Sequence, residues 1–266
     1  MYQKIESPQN AAIKQLYQLR EKSRIRKKEG LFIIEGQQEI QLALKANYQI
    51  IKIYVCTSIL PITKFETIFS DWLSTFQIIE ISTEVYQKLA YRASTEGIIA
   101  LSKAKKNALK ELQLKSNPLI LVAEAPEKPG NIGALLRTAD AANIDAVLIA
   151  NPKTDLYNPN IIRSSVGCVF TNNVATGSTT EIITFLKEKE IQLYGATLQS
   201  ATPYDQQNFK APTAIIVGTE HEGLSKEWRM NTTKNIIIPM SGSVDSMNVS
   251  VAAGILIFEA KRQRGF

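Results

Sequence analysis

The sequence contains few of the residues and segments that metal enzymes and membrane proteins need. Its single histidine, His221, cannot form a multi-histidine site, and its two cysteines, Cys56 and Cys168, lie far apart without metal-ligand spacing. The longest apolar run, residues 251–258, is far shorter than the ~18 residues of a membrane-spanning helix. The polar N-terminus shows no export signal. We therefore expect no metal, no membrane contact and a cytoplasmic location with both thiols reduced.

Common nucleotide-binding and hydrolase motifs are also missing. No Gly-x-Gly-x-x-Gly follows the first strand of either predicted sheet, and the sequence has neither a Walker phosphate loop nor a Gly-x-Ser-x-Gly turn. A nucleotide-dependent oxidoreductase therefore stays open only as an alternative that rests on sheet type.

The positive charge is concentrated in the first part of the chain. Residues 1–117 contain 18 Lys and Arg against 11 Asp and Glu, whereas residues 118–266 contain 13 against 14. A basic domain beside a nearly neutral one indicates that the first binds a polyanion while the second carries the chemistry. A solvated basic face is the alternative. The candidate RNA contacts, all within one cationic run, are Arg20, Arg24, Arg26, Lys27 and Lys28.

Hydropathy patterns predict two domains joined by a linker. Residues 1–103 alternate strands (31–34, 50–55, 76–81, 97–101) with helices (37–45 and one capped by Ser82), which is typical of a small α/β domain. The lysine-rich residues 104–117, which end at Pro118, are the predicted linker. In residues 118–266, uniformly apolar strands (119–123, 146–150, 191–197, 214–217, 235–239) alternate with helices (132–143, 180–188, 246–262). This pattern predicts a parallel sheet covered on both faces, with ligands at the carboxyl ends of its strands.

A glycine-rich turn follows the first of these strands. Gly130 and Gly133 allow close backbone approach, and Asn131 is the predicted cap of the next helix. Arg137 lies six residues later, and we expect it on roughly the same side of the helix as Asn131. An arginine near a helix N-terminus suits phosphate, although an ordinary cap and a surface arginine would give the same pattern.

Two further polar segments follow later strands. In residues 215–225, a buried strand ends at Gly218 and places Glu220 and Glu222 around His221; a simple reversing loop is the alternative, and we do not expect His221 to be the base. In residues 236–254, a Gly/Ser loop leads into a helix whose first turns carry Ser246, Asn248 and Ser250, followed by small residues that allow close packing.

Together and in this order, these three segments resemble the motifs of the SpoU/TrmH family of RNA ribose methyltransferases, part of the SPOUT class. Residues 160–167 also resemble the family. Residues 5–103, including Phe32-Ile33-Ile34-Glu35-Gly36, resemble its N-terminal substrate-binding domain, which is similar to small RNA-binding ribosomal proteins.

The resemblance implies an α/β fold in which a parallel-sheet domain is tied in a deep trefoil knot. It further implies a homodimer and methyl transfer from S-adenosylmethionine to a ribose 2′-hydroxyl. The matching functional positions are Asn131, Arg137, Glu220, Ser246 and Asn248. The positions matching cofactor contacts are Thr197, Gly218, Ile238 and Met247.

The resemblance leaves the substrate and one residue role open. A basic domain similar to ribosomal proteins favours rRNA of the large subunit, while tRNA, or an inactive RNA-binding homologue, remains an alternative. Arg137 is either the base or a phosphate clamp that orients the hydroxyl.

Overall fold

The computed structural model describes residues 2–91, 96–219, 222–243 and 246–266. The helices are α1 (Ala11–Glu21), α2 (Ser23–Glu29), α3 (Gln37–Lys45), α4 (Ile62–Ile68), α5 (Thr83–Leu89), α6 (Pro129–Ala141), α7 (Pro159–Ser164), α8 (Cys168–Thr171), α9 (Thr179–Glu188), α10 (Lys226–Asn231) and α11 (Val249–Arg264). The strands are β1 (Gln3–Ile5), β2 (Leu31–Glu35), β3 (Ile50–Val55), β4 (Gln77–Ile81), β5 (Ile98–Lys103), β6 (Leu119–Glu124), β7 (Ala146–Ala150), β8 (Val174–Gly177), β9 (Gln192–Ala196), β10 (Thr202–Pro203), β11 (Thr213–Val217) and β12 (Lys234–Ile237).

The chain forms two compact units. The first unit contains Met1–Lys106 and Thr154–Thr171, and the second contains Asn107–Lys153 and Asn172–Phe266. The sheet of the first unit has the order β1-β4-β3-β5-β2, in which β5 runs antiparallel to its neighbours. The sheet of the second unit has the order β10-β12-β9-β11-β6-β7-β8, and all its strand pairs are parallel.

The parallel sheet of the second unit is confirmed, and its burial explains the apolar runs. All residues of β6, β7 and β11 are buried, as expected when helices cover both faces of a sheet. Trp228 is fully buried in the core on one of these faces. Because the strands are parallel, their carboxyl ends lie at one edge of the sheet.

Most of the predicted linker, residues 107–117, belongs to the second unit. The Asn107 carbonyl accepts a hydrogen bond from the Thr176 backbone N–H at 2.9 Å. Leu109, Leu112 and Leu114 pack against the core of this unit. These three leucines attach the lysine-rich stretch to the core of the second unit.

An internal segment of the sequence, Thr154–Thr171, packs into the first unit, which the sequence patterns did not predict. Phe32 and Tyr157 stack with ring centroids 4.2 Å apart. The Asp155 carboxylate accepts hydrogen bonds from Nε and Nη2 of Arg26 at 2.9 and 2.7 Å, and both side chains are more than nine-tenths buried.

This ion pair corrects the prediction that Arg26 contacts RNA phosphate. Nη1 of Arg26 also donates to the backbone carbonyls of Leu19 and Arg20, so all three guanidinium nitrogens donate inside the unit. Two guanidinium nitrogens of Arg20 are also hydrogen-bonded. Its Nη1 donates to the backbone carbonyls of residues 88, 89 and 90, and its Nε donates to the Glu21 carboxylate. Of the five candidates, Arg24, Lys27 and Lys28 are exposed, and they stay predicted RNA contacts.

Candidate active site

A cavity of about 350 Å³ opens at the carboxyl ends of three parallel strands in the second unit. Its wall contains residues 196–199 at the end of β9, residues 217–219 with Glu222 and Gly223 at the end of β11, and residues 236–238 with Met240 at the end of β12; the start of α11 forms the remaining wall. The volume falls in the range of roughly 300–1,000 Å³ that is usual for small-molecule sites. We call this space the strand-end cavity.

The four predicted cofactor positions all line the strand-end cavity. Thr197, Gly218, Ile238 and Met247 come from four different segments, and Ser246 lies beside them. Their convergence depends on the strand order, since β11 and β12 both pair with β9. Whether these residues bind a cofactor stays a prediction.

Gly218 shows why the loop after β11 needs a glycine. A Cβ at this position would overlap the backbone of Gly223 and Leu224. The backbones of Thr219 and Gly223 exchange hydrogen bonds of 3.0 and 3.2 Å, which brings this return segment against Gly218. Any larger residue would force the cavity wall apart.

Several polar lining residues were missed by the sequence reasoning. They are Gln199, Thr219 and Arg229; Glu222 was noted in the polar segment around His221 but was not predicted as a site residue. Gln199 and Thr219 lie just beyond predicted strands, so their position alone could have flagged them. Arg229 lies on α10, a short helix with no motif signal.

Asn131 and Asn248 join the N-terminal ends of α6 and α11. The Asn248 Nδ2 donates to the Asn131 Oδ1 at 3.3 Å. The Asn248 Oδ1 accepts the backbone N–H of Ser250 at 2.9 Å and so caps α11. Because α6 begins at Pro129, Asn131 lies inside its first turn, and the prediction that it caps the helix is wrong.

The small residues at the start of α11 allow close packing of α6. Ala253 is fully buried, and a Cβ at Gly254 would lie 3.8 Å from the Thr138 Cγ2 of α6. Helix α6 is therefore the element that packs against the small residues of α11, although a Cβ at Gly254 would make only ordinary van der Waals contact there.

Arg137 is exposed on α6, outside the set of described residues that line the strand-end cavity. Six residues at 3.6 per turn place it about 120° around the helix from Asn131. The expectation that the two share one side is therefore wrong. A guanidinium exposed beside the α6–α11 contact can meet a ligand from outside the unit.

The predicted functional residue Glu220, and also His221, lie outside the described residues. Across the described ranges there is no group of three or more His, Cys, Asp or Glu side chains that could hold a metal ion. In the same part of the chain, every helix is too short or too polar to cross a bilayer.

Comparison with known proteins decides the family. Residues 118–258 match the SpoU rRNA Methylase family, and residues 10–100 match the MRM3-like substrate binding domain. The chain belongs to the SpoU rRNA methylase family. The resemblance inferred from the three polar segments is thereby confirmed.

A similar characterised relative is the 23S rRNA (guanosine(2553)-2'-O)-methyltransferase RlmP of Bacillus subtilis (strain 168). It is 30% identical over 97% of this chain and 98% of its own length. A crystal structure of an RNA 2'-O ribose methyltransferase is 38% identical, covers 98% of this chain and 99% of that chain, and has a TM-score of 0.84.

A third similar protein is known with its cofactor. The SpoU methyltransferase AviRb from Streptomyces viridochromogenes, in complex with AdoMet, is 25% identical. The alignment covers 96% of this chain and 98% of that chain, with a TM-score of 0.87. A methyltransferase of similar structure thus binds AdoMet.

Proposed function

We propose that this chain transfers a methyl group from S-adenosylmethionine to a ribose 2′-hydroxyl of rRNA, with the large subunit favoured. The observation that carries the proposal is the strand-end cavity, where segments from three strand ends and one helix start converge. The rRNA substrates named for similar proteins support the choice of RNA.

The strand-end cavity fits the cofactor chemically. Backbone groups near Thr197, Gly218 and Ile238 can bind the edge of an adenine, and apolar side chains such as Met247 can cover its face. The polar groups of Thr219, Glu222 and Arg229 suit the hydroxyls and charges of the rest of the molecule. When bound, S-adenosylmethionine supplies the electrophilic methyl group.

Arg137 is proposed to bind an RNA phosphate and so orient the target hydroxyl. Arginine stays protonated in proteins, and its planar fork matches a phosphate bidentately. Holding the hydroxyl in line with the donor can supply much of the rate acceleration. These properties favour the clamp over the base.

A homodimer is proposed to complete the active site. Arg137 lies outside the cavity of its own chain, so a second copy can bring its Arg137 to that cavity. Val251 and Phe258 are exposed on one side of α11, at 53% and 40%, and offer an apolar surface for the second copy.

The deep trefoil knot is also part of the proposal. Two observations support it. Strand β12 pairs with the edge of β9 that faces away from β11, and the following helix, α11, packs back on β11 and α6. Residues 1–103 are proposed as the RNA-binding domain and residues 118–266 as the catalytic domain, acting in the cytoplasm.

The test is transfer of a labelled methyl group from S-adenosylmethionine to purified rRNA and, separately, tRNA. We expect the unaltered chain to label rRNA at ribose, and the Arg137→Ala variant to transfer label to rRNA about 100- to 1,000-fold more slowly. Label in tRNA alone would move the activity to the alternative substrate. RNA binding without any transfer would support the alternative of an inactive RNA-binding homologue and overturn the proposal.

A further inference from the structure

Arg229 is the only cation among the described residues that line the strand-end cavity. Its Nη1 donates to the Leu224 backbone carbonyl at 2.7 Å. This bond fixes the orientation of the guanidinium and leaves Nε and Nη2 as a paired edge. Two parallel donors of this kind match the two oxygens of a carboxylate.

The helix that carries Arg229 is firmly held. Trp228, the preceding residue, is fully buried in the core. Ser225 caps α10 through its Oγ, and its backbone N–H donates to the buried Glu124 carboxylate at 2.8 Å. A charged group on such a support is positioned before a ligand arrives, which lowers the entropy cost of binding.

The charges of S-adenosylmethionine restrict where a cation can lie. The molecule carries a positive sulfonium, a positive ammonium and one negative carboxylate. An arginine in its site stabilises the complex only if it lies nearer to the carboxylate than to either positive group. Glu222, an acidic residue on the wall of the same cavity, suits the ammonium.

We propose that Arg229 binds the carboxylate of the methionine end of the cofactor, and that it selects adenosyl ligands that have this end intact. The inference rests on the proposed function, since it assumes that S-adenosylmethionine occupies the strand-end cavity. It assigns Arg229 to cofactor recognition and leaves the reacting groups to other residues.

The test measures the binding of three ligands by isothermal titration calorimetry. S-adenosylhomocysteine has the complete amino-acid end, S-adenosyl-3-thiopropylamine lacks only the carboxylate, and 5′-methylthioadenosine lacks the whole end. All three carry an uncharged sulfur. The proteins are the full-length chain, Arg229→Gln, Arg229→Lys and the matched control Lys226→Gln, which removes an exposed charge from the same helix.

We expect Arg229→Gln to bind S-adenosylhomocysteine roughly 10- to 100-fold more weakly, because a charge-assisted hydrogen-bonded pair is lost. Binding of 5′-methylthioadenosine should be unchanged, and S-adenosyl-3-thiopropylamine should bind the variant at least as well as the unaltered chain. Arg229→Lys should recover part of the loss, and Lys226→Gln should bind all three ligands like the unaltered chain.

Equal weakening of S-adenosylhomocysteine and 5′-methylthioadenosine would overturn the inference, because Arg229 would then shape the cavity or contact the adenosine. Unchanged binding of S-adenosylhomocysteine would also overturn it, while leaving the proposed function intact. Failure of the unaltered chain to bind any of the three ligands would contradict the proposed function itself.

Discussion

The two units use arginine in opposite ways. In the first unit, Arg26 belongs to a strongly cationic run, yet it is buried and paired with Asp155. In the second unit, which is nearly neutral in charge, Arg137 is exposed on α6. Charge density along the sequence therefore indicates which region meets a polyanion, but burial decides which cation can do so.

The largest expected effect is on stability and comes from Arg26→Gln. The variant leaves Asp155 buried without its partner, so the free energy of unfolding should fall by about 3–5 kcal/mol. Urea denaturation measures it. The matched control is Arg24→Gln, two residues away and exposed, which should change stability by less than about 0.5 kcal/mol. Equal stability of the two variants would remove the distinction between buried and exposed arginines.

Arg137→Ala should affect turnover with little effect on cofactor binding. We expect kcat to fall about 100- to 1,000-fold, the usual loss when a group that acts on the transition state is removed. The dissociation constant for S-adenosylhomocysteine should stay unchanged, because Arg137 is proposed to bind the RNA phosphate and not the cofactor. Lys189→Gln, which removes an exposed charge elsewhere in the second unit, serves as the control. Near-normal methylation by Arg137→Ala would contradict the proposed role of Arg137 in binding the RNA phosphate.

Neutralising Arg24, Lys27 and Lys28 together should weaken RNA binding about 10-fold and reduce its salt dependence. Each lost phosphate contact lowers the slope of log affinity against log salt by about 0.7–0.9. Filter binding at several salt concentrations measures both quantities. Cofactor affinity should not change, and an equal loss of RNA and cofactor binding would contradict the division of roles between the two domains.

The smallest effect concerns a helix cap in the second unit. The pKa of Glu181 lies below its ordinary value because its carboxylate accepts the backbone N–H and then the hydroxyl of Ser178. A group whose pKa is lowered by folding stabilises the fold at pH values above its unfolded-state pKa. This stabilisation is lost as pH falls through the folded-state pKa. Glu181→Gln should therefore lower Tm slightly at about pH 7, and this difference should shrink as pH falls below the ordinary pKa of a carboxyl group. A Tm difference independent of pH would contradict this explanation.

Local patterns predicted much of the fold. Helix α3 and strands β3 and β7 have the predicted bounds, because a regular hydropathy period is a property of neighbouring residues. The segment Thr154–Thr171 escaped prediction because its partners, such as Arg26, are more than a hundred residues away. Similarly, α2 is short and polar on most sides, so its sequence does not show that Arg26 points inward.

The cofactor positions were predictable from the family resemblance and not from the predicted strands, which contain Thr197 and Ile238. In the structure Thr197, Gly218 and Ile238 each directly follow a strand, and the parallel sheet brings them to one edge. Arg229 gave no such signal, because Lys226-Glu227-Trp228-Arg229 looks like an ordinary surface helix. Its approach to the cavity depends on Trp228 being buried, which only the packing reveals.

The central claim is that this chain methylates a ribose 2′-hydroxyl of rRNA, and a map of 2′-O-methyl groups tests it most directly. RNA from a strain lacking the gene would be compared with RNA from the same strain carrying either the unaltered gene or its Arg137→Ala variant. We expect one large-subunit rRNA position to lose its methyl group in the deletion strain, and only the unaltered gene to restore it. Identical rRNA maps in all three strains would contradict the account.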